Sequence, residues 1–463
     1  MLQTFKNAWR TKDIRSKLIF TAIILLIYRI GTVIPVPFVD AHGFAGSFNG
    51  TILDQMNILS GGSLAAATLF ALGVQPYINA SIIMQLLAVA FPKLGELSKD
   101  EQGKKTMNMI TRIVTVGLAL VTAIGYYFLL KRGNLLAEVA MKDGFTKWLC
   151  AFVIIACYCA GASLIMWLGE RINEKGIGNG ISMILFANII SVIPSTIYAL
   201  IQTLVIPSFS TTNDLVWLRA ISAIVLALVI IALMIVMTVF VVWVTGSERR
   251  IPVQYAKKVV GRKMYGGQFS NLPIKLNMTG VMPVIFASSI VSLVPTILQL
   301  CGVAVTDKTF WGKLANFLAA DGWFYPVTLF LLIIGFAYFY TQITFNPIEV
   351  ANNLKKQGGA IPGIRQGRPT ADYIRKVLNK ITLVGALFLG VIAILPVICA
   401  PHVLAPLIEL ILNLGGYEGY AESIAGQFTF GGTSLLIVVG VVLETFRELE
   451  AQLTMRNYKG FLN

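Results

Sequence analysis

Charge and histidine are scarce in this 463-residue chain: Asp, Glu, Lys and Arg together make up 13% of it, and there are 2 histidines. Each scarcity excludes a kind of chemistry. His42 and His402 lie between the apolar runs and no HExxH motif occurs, which removes the usual zinc and serine–histidine catalysis within a membrane. No GxxxxGK[ST] motif occurs, so ATP is not bound through a P-loop. No acidic residue falls near the middle of any long apolar run, where an ion-coupled transporter generally holds one. Glu170 and Glu444 stand at the ends of such runs, where a solvated role is expected. The five cysteines (Cys150, Cys157, Cys159, Cys301 and Cys399) lack metal-ligand spacing and read as small hydrophobes, with no disulfide expected. The first apolar run has no small-residue cleavage site, and Arg29 and Pro35 come in its place, so it reads as an uncleaved span.

What is abundant is apolar: 56% of the residues are hydrophobic and the mean hydropathy is +0.76, the composition of an all-α polytopic membrane protein. Ten transmembrane helices are expected, at roughly 18–36, 75–91, 110–130, 147–168, 181–206, 219–245, 277–300, 323–345, 377–400 and 431–447. Twenty-nine of the 37 Lys and Arg residues then fall on one side of the membrane and seven on the other, with Arg29 inside the first span. By the positive-inside rule both termini are cytoplasmic. The one exception is the external loop carrying Lys131, Arg132, Lys142 and Lys147, offset in part by Glu138 and Asp143. Ten spans divide most simply into two five-helix halves, residues 1–206 and 219–449, joined by an external hinge at 207–218 and followed by a cytoplasmic tail at 450–463. An odd number of spans per half makes any structural repeat an inverted one. The segment 403–414, VLAPLIELILNL, is too short to span and reads as an interfacial or re-entrant piece.

Residues 58–91 are a hydrophobic stretch of awkward length. As one helix the segment would run about 50 Å against a hydrocarbon core of roughly 30 Å, yet it is too short for a hairpin of two spans. Its beginning (Ser60, Gly61, Gly62, Ser63, Leu64, Ala65, Ala66, Ala67, Thr68, Leu69, Phe70) is rich in small and polar residues that suit lipid poorly. Gln75–Pro76 then breaks it, because proline has no N–H and clashes with the preceding turn. A re-entrant half-helix followed by a full span is expected. Non-helical backbone at membrane depth is tolerated only inside protein or beside a water-filled cavity, so a cavity is expected too.

A net charge of +15 and a pI near 9.6 call for an acidic neighbour: anionic lipid, nucleic acid or an acidic protein face. The charge concentrates in two cytoplasmic loops, 246–275 and 346–376. The first carries Arg249, Arg250, Lys257, Lys258, Arg262 and Lys263. The second carries Lys355, Lys356, Arg365 and Arg368 around a Gly/Pro-rich tip, GGAIPGIRQGRPT. Retention of basic loops in the cytoplasm explains part of this. Loops of about 30 residues exceed what adjacent helices need, and such loops are often functional. Arg365 offers a planar five-donor group for phosphate or carboxylate, as a large anionic partner requires.

Six motifs, in order and on this topology, give the chain a family resemblance. They are RIGTVIPVP at 29–37, SGGSLAAATLFALGVQPYINASIIMQLL at 60–87, GIGNGIS at 176–182, LPIKLNMTGVMPVIFASSI at 272–290, FNPIEVANNLKKQGGAIPGIRQGRPT at 345–370 and GGTSLLIVV at 431–439. Through them the chain closely resembles the SecY family, the channel subunits of the bacterial Sec protein translocon. The resemblance implies two inverted five-helix halves around an hourglass pore that opens sideways to lipid at a lateral gate, with spans 2 and 3 facing spans 7 and 8. It implies an external plug over roughly 57–70 and a pore ring of Val74, Ile78, Ile181, Leu185, Ile285 and Ile437. Val74 and Leu185 depart from the isoleucine the family favours, which keeps the ring apolar while changing its diameter. The two basic loops are expected to contact the ribosome (ribosomal RNA) and the SecA motor ATPase, with Arg365 matching the family's functional arginine. SecE and SecG small membrane subunits, signal sequences, nascent chains and membrane lipid are the other implied partners. No cofactor, metal or catalytic residue is expected, and the implied location is the bacterial cytoplasmic membrane. The stretch 403–430 looks longer than in many relatives and has no assigned role. An ion- or solute-coupled transporter with an inverted repeat is the rival reading, and an intramembrane protease a distant third.

Overall fold

A computed structural model describes residues 2–40, 52–97, 100–133, 135–137, 144–200, 216–255, 258–260, 263–265, 269–300, 310–317, 324–399 and 431–459. The predicted short segment at 403–414, residues 207–215 of the predicted hinge, His42, Lys142 and His402 lie outside these. In the first half the helices are α1 (Leu2–Arg10), α2 (Lys12–Gly31), α3 (Ile52–Leu59), α4 (Gln75–Ala90), α5 (Pro92–Leu97), α6 (Glu101–Arg132), α7 (Phe145–Lys175) and α8 (Gly180–Leu200). In the second half they are α9 (Val216–Gly246), α10 (Met282–Leu300), α11 (Phe310–Phe317), α12 (Phe324–Thr344), α13 (Pro347–Lys356), α14 (Arg368–Cys399) and α15 (Gly431–Lys459). Each predicted span overlaps one helix, with residues 201–206 and 400 outside the described residues. Among the described residues, Glu101–Arg132, Phe145–Lys175, Phe324–Lys356 and Arg368–Ile398 are long and apolar enough to cross a membrane, and Gly180–Ser195, Ile231–Gly246 and Met282–Leu298 are shorter apolar helices.

Many hydroxyl side chains inside these helices are satisfied by their own helix. On α6 the hydroxyls of Thr111, Thr115 and Thr122 donate to the carbonyls of Met107, Thr111 and Leu118 at 2.9, 2.7 and 2.8 Å. Such back-bonding removes the cost of an unpaired donor in an apolar setting. Glu170, expected to be solvated, is instead clamped by Arg112 of α6 through contacts of 2.9 and 2.8 Å.

In the first half α6 packs on α4 and α7, and α2 lies against α7 and α8. In the second half α12 packs on α10 and α14, and α15 packs on α9 and α14. The halves meet along two lines. On one, α15 lies against α8; on the other, α10 lies against α4 and α6. A large apolar cluster joins them, with Ile24, Ile78, Ile184 and Leu185 from the first half and Ile285, Leu329, Ile392 and Ile437 from the second.

The predicted cytoplasmic tail does not leave the body of the protein at 450. Helix α15 continues to Lys459, and its extension lies on α1, where Ala8, Ile14, Ile177 and Leu449 form a small buried cluster. Lys17 donates to Gln452 at 3.2 Å beside it. Leu449 and Leu453, one helical turn apart, supply the apolar stripe that keeps the helix folded outside the membrane.

The two basic loops form one structure. Strands β1 (Glu248–Tyr255) and β4 (Phe269–Lys275) pair antiparallel, and a two-residue strand β5 (Gly359–Ala360) from the second loop adds to the free edge of β1, with Gln254 opposite Ala360 and Tyr255 opposite Gly359. Between β1 and β4, β2 (Lys258–Val260) and β3 (Lys263–Tyr265) make a small hairpin. Beneath the sheet Ile251, Val253, Ile274, Leu354, Ile361 and Ile374 form a buried core that includes residues of both loops. Helix α13 starts from Asn346, whose side chain accepts the Ile348 N–H at 3.1 Å, a capping bond that turns the chain sharply after α12.

Candidate functional site

The six predicted ring residues stand on four helices drawn from both halves, within the one large apolar cluster that joins them. Val74 caps α4 and Ile78 lies one turn into it; Ile181 and Leu185 are one turn apart on α8, Ile285 is on α10 and Ile437 on α15. A spacing of four places each first-half pair on one helix face. All six belong to the central apolar cluster. Five of them are between 2 and 5% exposed, and Ile181 is half-buried against them. None offers water a hydrogen bond.

Before this cluster lies an irregular segment. The regular helix expected at the start of 58–91 is displaced: α3 ends at Leu59, and 60–74 is a succession of tight turns. The reason is local. Gly61 takes a left-handed φ of 69° and donates its N–H to the Ile58 carbonyl at 3.0 Å, while the Gly62 N–H reaches the Asn57 carbonyl at 2.8 Å. That pairing is a Schellman cap, which ends a helix and favours glycine because a Cβ is strained there. Polar side chains then tie the turns together. Asn57 Oδ1 accepts the Ala65 N–H at 2.9 Å, and Ser60 Oγ accepts the Leu64 N–H at 3.2 Å. Pro76 opens α4 near its first turn, where its missing N–H costs nothing.

The first half also satisfies the segment's carbonyls. Asn188 of α8 donates to Leu59 O at 2.7 Å and Arg29 of α2 to Gly61 O at 3.3 Å; Tyr126 of α6 donates to Leu64 O at 2.6 Å and Tyr158 of α7 to Ala67 O at 3.3 Å. Each such acceptor would cost about 1–3 kcal/mol if buried unpaired. Phe70 stacks on Tyr28 with ring centres 5.3 Å apart, over a glycine, Gly31, whose Cβ would collide with the Phe70 ring. Gly161 of α7 makes room in the same way for the Leu69 backbone. Opposite, from the second half, the Thr296 hydroxyl of α10 reaches the Met56 sulfur at 3.2 Å.

Beside the seam where α4 and α6 meet α10, the Tyr340 hydroxyl of α12 donates to Gln85 Oε1 of α4. Around it Phe286, Phe336, Phe339 and Tyr340 form an aromatic group, with Phe286 and Tyr340 centred 5.1 Å apart. Gln85, Tyr340, Tyr126, Tyr158 and Asn188 escape sequence reasoning. A tyrosine in an apolar run looks like any membrane aromatic, and only the carbonyl or amide it meets marks it out.

Comparison with known proteins agrees with this geometry. A model of the SecY family matches residues 68–446. The chain belongs to the SecY family. It is 41% identical to the protein translocase subunit SecY of Streptomyces galbus over 471 residues, covering 100% of both chains, and 41% identical to that of Mycobacterium bovis over 480 residues with the same coverage. A solved protein-conducting channel has the same fold at 18% identity, with a TM-score of 0.60 over 94% of this chain and 92% of that one. A second solved structure, of a SecY protein whose plug domain stabilises the closed channel, aligns with a TM-score of 0.61 at 19% identity, over 94% of this chain and 92% of that one.

In this SecY-family chain the predicted docking residues gather on the shared sheet and its connections. Arg249 and Arg250 lie on β1, Lys258 begins β2 and Lys263 begins β3; Lys257 and Arg262 lie outside the described residues. Lys355, Lys356, Arg365 and Arg368 are all exposed. The Arg365 carbonyl accepts the Thr370 hydroxyl at 2.8 Å, which fixes the backbone and leaves the guanidinium outward. Arg250 is paired with Glu248 at 2.8 Å, a surface contact worth about 0–1 kcal/mol and easily exchanged for another anion. At the base of the sheet, partial burial and the neighbouring Arg447 charge pull the Lys275 ammonium below its usual range, against the opposing pull of Glu248.

The close packing and the seam each yield an expected outcome. A Cβ on Gly161 would stand 2.0 Å from the Leu69 carbonyl oxygen. Gly161→Ala should therefore cost about 1–3 kcal/mol, the usual penalty of overpacking, read as a lower thermal midpoint in detergent. Tyr340→Phe keeps the ring and removes the bond, and should weaken the seam by about 0.5–1.5 kcal/mol. Short-linker crosslinking between cysteines introduced on α4 and α12 should fall accordingly; unchanged crosslinking would deny the bond a role in closure.

Proposed function

We propose that this chain is a protein-conducting channel that passes unfolded secretory polypeptides across the bacterial cytoplasmic membrane and releases transmembrane segments sideways into lipid. What supports this is that Val74, Ile78, Ile181, Leu185, Ile285 and Ile437, on four helices of both halves, all belong to one apolar cluster next to a compact irregular segment. A narrow aliphatic ring dewets and resists ions, while its flexible side chains can part around an extended chain and close on it as a gasket. Residues 57–70 act as the plug above that ring. The ten long helices are read as ten spans, with both termini cytoplasmic.

The seam of α4 and α6 against α10, closed by Gln85 and Tyr340, is read as the lateral gate. A signal sequence wedges into it and partitions toward lipid. Insertion preferences of about −0.3 to −0.6 kcal/mol for each Leu, Ile, Phe or Val sum over a span to several kcal/mol. That suffices to shift a gate poised within a few kcal/mol. The direction of movement is supplied from outside, by the SecA motor ATPase or a translating ribosome held on the basic sheet. The small membrane subunits SecE and SecG complete the channel. Helix α9 supports such a neighbour: residues 231–236 are exposed in an unbroken run, hence all round the helix, and apolar throughout.

Deleting residues 60–70 should raise resting ion leak in reconstituted vesicles severalfold; an unchanged leak would remove the plug. Arg365→Glu should lower partner-driven secretion tenfold or more at an unchanged thermal midpoint, and normal secretion would withdraw the docking role.

A further inference from the structure

The irregular segment is built as a unit and fastened asymmetrically. Within it, Asn57 holds Ala65, Ser60 holds Leu64, and the Thr68 hydroxyl donates to Ser63 O at 3.3 Å, so that residues 57–68 are cross-tied. Toward the first half, side chains from four different helices, Asn188, Arg29, Tyr126 and Tyr158, donate to its carbonyls. Backbone bonds reinforce them: the Leu69 N–H reaches Ile34 O at 2.9 Å, and Pro35 and Thr68 form a β-bridge. Toward the second half, α3 packs on α10 and Thr296 meets the sulfur of Met56. A thioether is a weak acceptor, and the packing around it is non-directional.

We infer that Tyr126, Tyr158, Asn188 and Arg29 are positioning residues that fasten the plug to the first half, so that opening separates it from α10 and carries it along with α2, α6, α7 and α8. This rests on reading residues 57–70 as the plug. When the halves part, the weaker attachment yields: four side-chain donors hold the segment to the first half, those of Tyr126 and Tyr158 buried and those of Arg29 and Asn188 partly so, against one contact to a thioether on the other side. Resealing then needs no search, because the plug returns with the half that bears it.

Crosslinking in reconstituted channels with their accessory subunits tests this, with the five native cysteines replaced. Met56→Cys with Thr296→Cys ties the plug to the second half by a disulfide. Phe70→Cys with Tyr28→Cys, bridged by a short bismaleimide, ties it to the first. ATP-driven translocation of a secretory precursor should fall at least tenfold on the first crosslink and stay within twofold on the second. Separately, Tyr126→Phe combined with Tyr158→Phe should raise resting leak severalfold, and the 28–70 crosslink should restore the seal, which a merely misfolded variant would not allow. A block by the 28–70 crosslink, alone or together with the 56–296 block, overturns the inference while leaving a moving plug intact. If neither crosslink matters and deletion of 60–70 leaves the leak unchanged, the plug reading itself fails.

Discussion

Everything in this structure answers to the demand that backbone polar groups be paired where water is excluded. Long helices meet it at once by bonding to themselves, which is why they make up most of the chain. Residues 60–74 do so only in part: turn bonds within the segment meet some of their carbonyls, and others take donors from neighbouring helices. The protein therefore places Asn, Arg and two Tyr residues on four separate helices, in positions where an apolar residue would pack as well. Their arrangement follows from one short irregular stretch.

That demand also explains why the two junctions between the halves differ. Along α8 and α15 the contact continues into α1 and the end of α15, where polar bonds such as Lys17 to Gln452 are only partly buried. Along α4, α6 and α10 the contact is apolar and aromatic, with the Gln85–Tyr340 bond beside it. Lipid tails can replace an apolar contact with nearly equal energy. Such a seam suits the lateral opening proposed above.

The sequence was most legible where the signal is long. The apolar runs located the helices, though several run seven to twelve residues beyond the apolar stretch at one end, as α6, α7, α14 and α15 do. The pairing of 74 with 78 and of 181 with 185 put ring candidates on common faces, although their choice came from the family resemblance and not from periodicity. It was less legible where a few residues decide. A Schellman cap at Gly61 moved the helix from 60–70 back to Ile52–Leu59, since small residues alone do not say whether a helix or a set of turns will form. Strand β5 is two residues long, too short to show alternation, so the two basic loops read as separate. The tyrosine donors carry no pattern at all, because their meaning lies in a partner some sixty or ninety positions away.

The joining of those loops has a mechanical consequence. Strand β1 follows α9 directly, β4 leads into α10, and β5 lies between the end of α12 and the start of α14. A body gripping the sheet would hold the sheet-side ends of four second-half helices as a single lever, with α10 among them. Torque applied there is delivered to the helix that borders the seam, at a distance from it and without touching it. Under the docking proposed above, the basic sheet would serve as a handle.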